Sequence, residues 1–101
     1  MRAETFSYLP PMTREQIAAQ IGSALDRGLI AGVEFTSNPG PKNRYWSMWK
    51  LPLFGAASPQ DVLAEVDACT SEHPGDWVRI VGYDSSRGGI ATAFVVVTPA
   101  A

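Results

Sequence analysis

Ile17, Ile21, Ala24 and Leu25 recur at i, i+4, i+7 and i+8, the spacing that gathers apolar side chains on one side of a helix. The surrounding stretch TREQIAAQIGSALDRG supplies both ends. Thr13 stands at the N-cap, Glu15 in the first turn where the macrodipole favours a carboxylate, Gln16 at the capping-box position, and Gly28 at the C-terminal stop. After it, LIAGVEFTS is β-branched and aromatic and predicts a strand from about Leu29 to Phe35, followed by NPGPKN as a turn or loop. Between Tyr45 and Leu51 the period changes to two. Tyr45, Ser47, Trp49 and Leu51 fall on one face of a strand, and Trp46, Met48 and Lys50 on the other. A second helix follows in SPQDVLAEVDACTSEHPG, with Ser58 as cap, Pro59 at the first helical position, Asp61 in the first turn, and Val62, Leu63, Val66 and Cys69 as its apolar stripe. WVRIVGYD and GIATAFVVVT are two further strands joined by SSRGG, a connection suited to a hairpin. Ahead of everything, residues 1–12 read as an extended arm, because Pro10 and Pro11 remove backbone donors and push their predecessors toward extended conformations.

Arm, helix, strand, strand, helix, strand, strand is the order expected of an α+β domain, here one domain over residues 1–101. Its four-stranded, mostly antiparallel sheet carries both helices packed on one face. The other face is then expected to be uncovered within the chain, which argues for a partner.

Composition narrows the functions. Apolar residues make up 46% and charged residues 18%, with a net charge of -2. No Lys/Arg stripe is available to neutralise phosphates, so no nucleic-acid partner is expected. The longest apolar runs, such as Ala91–Val97, fall far short of the roughly 20 residues that cross a bilayer. No membrane partner is expected, and MRAETFSYLPP shows neither an apolar core nor a cleavage pattern of an export signal. Cys69 is the only cysteine, which suits a reducing, cytoplasmic setting. On the apolar stripe of its helix it is expected to be a buried, inert thiol. His73, the single histidine, sits beside Pro74 at a helix end, where capping or solvation is its expected role. Asp61, Glu65 and Glu72 are spread along a helix as a solvated face would be, and no spacing suggests a metal site or a nucleophile triad.

The remaining anomaly is RYWSMWKLPLFG, Arg44 to Gly55, which concentrates two tryptophans, a tyrosine and a phenylalanine around Lys50. Strands favour aromatics and bury their area, so these can be core. Trp46 and Trp49 point to opposite faces, however, and aromatics beside Arg or Lys are typical interface anchors.

ETFSYLPPMTREQIAAQI and YWSMWKLPLFG, together with VLAEVDAC, HPGDWVRIVGYDS and the final strand, resemble the small subunit of form I ribulose-1,5-bisphosphate carboxylase/oxygenase (RuBisCO) over nearly the whole chain and in order. The resemblance implies the same α+β fold and a subunit with no active site of its own. In that family eight small subunits cap, four at each end, an octamer of large subunits. The large subunits carry the active sites, the carbamylated lysine and the magnesium, so no cofactor is expected in this chain. Carried over by position, Glu4, Thr5, Phe6, Tyr8 and Leu9 match the arm that lies against large subunits, with Pro10 and Pro11 as its rigid exit. Tyr45, Trp46, Trp49, Lys50, Leu51, Pro52, Phe54 and Gly55 match the second-strand block, part core and part interface, from which Tyr45, Lys50 and Phe54 are expected to touch large subunits.

Two departures refine the resemblance. TSNPGPKN is much shorter than the loop that lines the central channel in plant members, and the chain stops at Ala101 soon after the last strand. The first implies a wider channel at that end, and the second resembles the bacterial green-type lineage. The alternative is a small-subunit-like scaffold module that binds assembled RuBisCO in a carboxysome, which would add carboxysome components as partners and a carboxysomal location. Such modules come in tandem and tend to lack the full arm.

Overall fold

A computed structural model describes residues 13–37, 46–86 and 88–98. The expected arm, with Glu4, Thr5, Phe6, Tyr8 and Leu9, lies outside the described residues, as do Tyr45 and the whole NPGPKN turn. The elements run α1 (Arg14–Asp26), β1 (Ile30–Thr36), β2 (Ser47–Leu53), α2 (Pro59–Glu72), β3 (Trp77–Asp84) and β4 (Gly89–Val97).

Helix α1 begins as its sequence dictates. The Thr13 hydroxyl accepts from the Gln16 N–H at 3.1 Å, and the Gln16 side chain accepts from the Thr13 N–H at 2.9 Å, so two donors with no partner inside the helix are satisfied reciprocally. It ends at Gly28, whose φ of 79° is left-handed backbone that glycine adopts without a Cβ penalty. Helix α2 starts on Ser58 with Pro59 in the first turn, and Asp61 accepts from the backbone N–H groups of Ala57 and Ser58 at 3.0 and 3.3 Å.

All strand pairs are antiparallel, in the order β2-β1-β3-β4, and both helices lie on one face of this sheet. Ile17 and Ile21 of α1 and Val62, Leu63, Val66 and Cys69 of α2 meet Ala31 and Val33 of β1, Val78 and Ile80 of β3 and Phe94 of β4 in one apolar core. Cys69 is fully buried, and desolvation pushes its thiol up to about 11. That suppresses the thiolate on which reactivity depends. Among the described residues no helix is long and apolar enough to cross a membrane.

Three details differ from the expectations. β2 is shifted toward the C-terminus and carries an irregularity: Val33 pairs with Trp49 while Ala31 pairs with Leu53. Two steps along β1 therefore span four along β2, so Lys50, Leu51 and Pro52 stand opposite Gly32 alone. Leu51, expected on the face of Trp49, is instead 74% exposed, and Leu53 takes its place against the core. Lys50, expected beside Trp46 and Met48, turns to the helix side, where it meets Glu65 of α2. Finally, the face opposite the helices is not bare, since Gly32, Glu34 and Val81 are buried there.

Candidate protein interface

On that opposite face, Glu34 of β1 pairs in register with Arg79 of β3 and Met48 of β2. Antiparallel pairing sets the two charged side chains side by side. The Arg79 Nε–H donates to Glu34 Oε1 at 2.8 Å, its Nη2 approaches the same oxygen at 2.6 Å, and the Tyr83 hydroxyl donates to Glu34 Oε2 at 3.1 Å. Trp46 closes the cluster from above, with the guanidinium carbon 4.5 Å from its ring centroid. That is cation–π geometry, favoured further where water is excluded. Burial and the Glu34 carboxylate push the Tyr83 phenol up to about 12, so it remains a donor. Tyr83 also lies across Gly32, where a Cβ would stand 2.8 Å from Cε2. Only a residue without a side chain admits the ring at that point.

The helix side of β2 has a second cluster. The Trp49 Nε1–H donates to Glu65 Oε1 at 3.0 Å, and Lys50 Nζ reaches the same oxygen at 3.3 Å. The ammonium also stands 5.6 Å from the Trp49 ring centroid. Trp49 is edge-on to Phe35 and to His73, and His73, the C-cap residue of α2, stacks on Phe35 at 4.0 Å. Lys50 has φ 60°, a left-handed conformation that costs a side-chain-bearing residue roughly 1–2 kcal/mol. The chain beyond it turns tightly, as the Phe54 N–H donates to the Pro52 carbonyl at 2.9 Å. Pro52 lacks a backbone donor and fits an edge strand for that reason.

The outcome is an apolar ridge at and just beyond the edge strand: Leu51 is 74% and Phe54 72% exposed, while Met48, at 41%, lies on the sheet face away from the helices. Of the residues singled out from sequence, Phe54 stands fully on this ridge. Lys50 lies at its base and Trp46 on the opposite sheet face, so the structure does not gather the three into one patch. Tyr45 lies outside the described residues. Leu51 is expected only as part of the second-strand block, and Glu65, expected on a solvated face, is instead held by Trp49 and Lys50; the Glu34–Arg79–Tyr83 cluster carries no expectation. A signal for the last existed: Glu34 and Arg79 each interrupt an apolar strand near its middle, where antiparallel neighbours can pair. Among the described residues no group of three or more His, Cys, Asp or Glu side chains could hold a metal ion.

The Glu65 carboxyl is held below its ordinary value, first by the Trp49 hydrogen bond and then by Lys50, with burial opposing. Its folded value lies below its unfolded one, so its contribution to stability is present above the ordinary carboxylate range and lost as pH falls through the folded value. Trp49→Phe removes the leading cause. Denaturant titrations from pH 7 to pH 3 are expected to show a smaller acid loss of stability in the variant. An identical acid profile in both proteins would remove Glu65 from the account.

Comparison with known proteins adds the following. Residues 3–99 match the family model described as ribulose bisphosphate carboxylase, small chain. A ribulose bisphosphate carboxylase small subunit from Synechocystis sp. is 48% identical over 98 residues, covering 97% of this chain and 87% of the relative. One from Xanthobacter flavus is 44% identical over 97 residues, covering 94% of this chain and 73% of the relative. Among solved structures, a chain of RuBisCO from Galdieria partita superposes with a TM-score of 0.88 at 37% identity, covering 96% of this chain and 72% of that one.

Proposed function

From the premise that the chain belongs to the family of ribulose bisphosphate carboxylase small chains, we propose that it caps and stabilises an octamer of RuBisCO large subunits in an eight-plus-eight assembly. In this role it supports carbon dioxide fixation without contributing a group to the chemistry. The observation that carries the docking part is the ridge of Leu51 and Phe54, the two most exposed large apolar side chains among the described residues, ahead of Ile90 and Met48. Such side chains beside charged and aromatic residues are what a partner covers. Leu51 and Phe54 are the anchors, with Lys50 at the base. Trp46 contributes on the other face. Glu4, Thr5, Phe6, Tyr8, Leu9 and Tyr45 join the interface on the strength of the family resemblance alone. Magnesium and the carbamylated lysine belong to the large subunit in this reading. Any influence on turnover is then indirect, through packing that positions large-subunit elements.

The test is co-expression with a large subunit from the same genome, followed by native mass and bisphosphate-dependent carbon dioxide fixation. Eight copies of each chain, with activity above that of the large subunit alone, is the expected result. Substoichiometric binding to an enzyme already complete in small subunits would replace it with the carboxysomal scaffold role.

Phe54→Ala is expected to weaken assembly roughly 10-fold or more, the scale of an interface hot spot. It should leave the isolated fold intact, because the ring is mostly in water. Denaturant unfolding of the chain and a binding titration separate the two effects. Loss of stability with unchanged binding per folded molecule would reassign Phe54 to the core.

A further inference from the structure

We propose that Lys50 is a positioning residue of the docking ridge. Its left-handed backbone, clamped from the helix side by Glu65, throws the extra residues of β2 outward and so sets Leu51 and Phe54 as a paired anchor for an apolar hollow on the large subunit. The identity of the partner rests on the reading given above.

Three observations carry this. The pairing of Val33 with Trp49 and of Ala31 with Leu53 puts the extra length of β2 at Lys50, Leu51 and Pro52. The only described residue other than glycine with positive φ is Lys50 itself. Its ammonium does not extend toward the ridge: it reaches Glu65, which also accepts from Trp49. An L-residue persists in such a conformation only where its surroundings over-determine it, and strain of this kind concentrates at sites with a task. Here the surroundings are Glu65 and Trp49. The effect is to lift Leu51 out of the ladder, so that Leu53 takes the place opposite Ala31, in the layer under the helices, that Leu51 would otherwise hold. Without the bulge the ridge would lose Leu51, and Phe54 would leave the strand in a different direction.

A backbone role and a side-chain contact predict different substitution patterns. Glycine and asparagine tolerate left-handed backbone but carry no ammonium, whereas a β-branched residue is disfavoured there. Full-length chains carrying Lys50→Gly, Lys50→Asn or Lys50→Val are titrated into the large subunit, and affinity is expressed per folded molecule from parallel denaturant curves. Lys50→Gly and Lys50→Asn are expected to bind within about 3-fold of the parent, and Lys50→Val about 10-fold or more weaker. Leu51→Ser should match the loss in Lys50→Val. Equal losses in Lys50→Gly and Lys50→Val would overturn the inference and make the ammonium a direct contact. Parental affinity in Lys50→Val would overturn it as well, since the bulge would then be dispensable. If the parent chain fails to bind the large subunit, the proposed function falls and takes this inference with it. Self-association lost in Leu51→Ser, in place of large-subunit binding, would assign the ridge to a second copy of the chain.

Discussion

Arg79→Met is expected to cost the fold about 3–5 kcal/mol, the scale of removing one partner from a buried ion pair. Glu34 is only 7% exposed, and the Arg79 guanidinium occupies most of one carboxylate oxygen. Without it the charge keeps only the Tyr83 hydroxyl, at 3.1 Å on the other oxygen. The carboxylate must then stay charged in a poorly solvated place or take up a proton, and either route destabilises the native state. The Trp46 ring loses its cation at the same time, which adds roughly 0.5–2 kcal/mol. For a domain whose total stability is on the order of 5–15 kcal/mol, that is a large fraction. Removing both charges is a different matter. Glu34→Leu combined with Arg79→Met replaces the pair by apolar volume and should recover much of the loss, because neither member is left buried alone. Urea denaturation of the parent, both single variants and the double variant closes the cycle. A cost below about 1 kcal/mol for Arg79→Met would place the pair among solvated surface ion pairs.

Val66→Asp is the more severe change. Val66 is 4% exposed and packs with Val62, Leu63 and Cys69 against the sheet. An aspartate there has no cation among the core residues to meet it. It must be buried neutral or expose the helix, and a lone buried charge is far costlier than either. Loss of cooperative unfolding by circular dichroism is expected. Val66→Ala is the control. It removes two methyl-sized groups at about 0.8 kcal/mol each and leaves a small cavity, so a cooperative transition at lower denaturant should survive. If Val66→Asp unfolds cooperatively near the parental midpoint, α2 does not dock through this stripe.

Much of this architecture is legible along the chain, for local reasons. The 3.6-residue spacing of Ile17, Ile21 and Ala24, the Thr13 and Gln16 capping pair and Pro59 at a first turn specify both helices from contacts a few residues apart. The apolar runs at 30–36, 77–84 and 89–97 specify strands in the same way. The order of these elements, with short connections, implies antiparallel hairpins and helices on one face. The Trp46 and Trp49 faces also follow from a period of two, since each side chain lies on the side its position assigned.

The ridge and the buried charge cluster were not legible in that way. Leu51 escapes the alternation because pairing between β1 and β2 admits two extra residues at Lys50, and the ion pair made there reaches Glu65, which stands fifteen positions further along the chain on a different element. Glu34 reads as an ordinary polar position in a strand until register sets it opposite Arg79, 45 residues away. Local propensity and periodicity act through neighbours in sequence and leave their record there. Register, bulges and buried ion pairs are chosen by the free energy of contacts between distant segments, so they exist only once the sheet has closed.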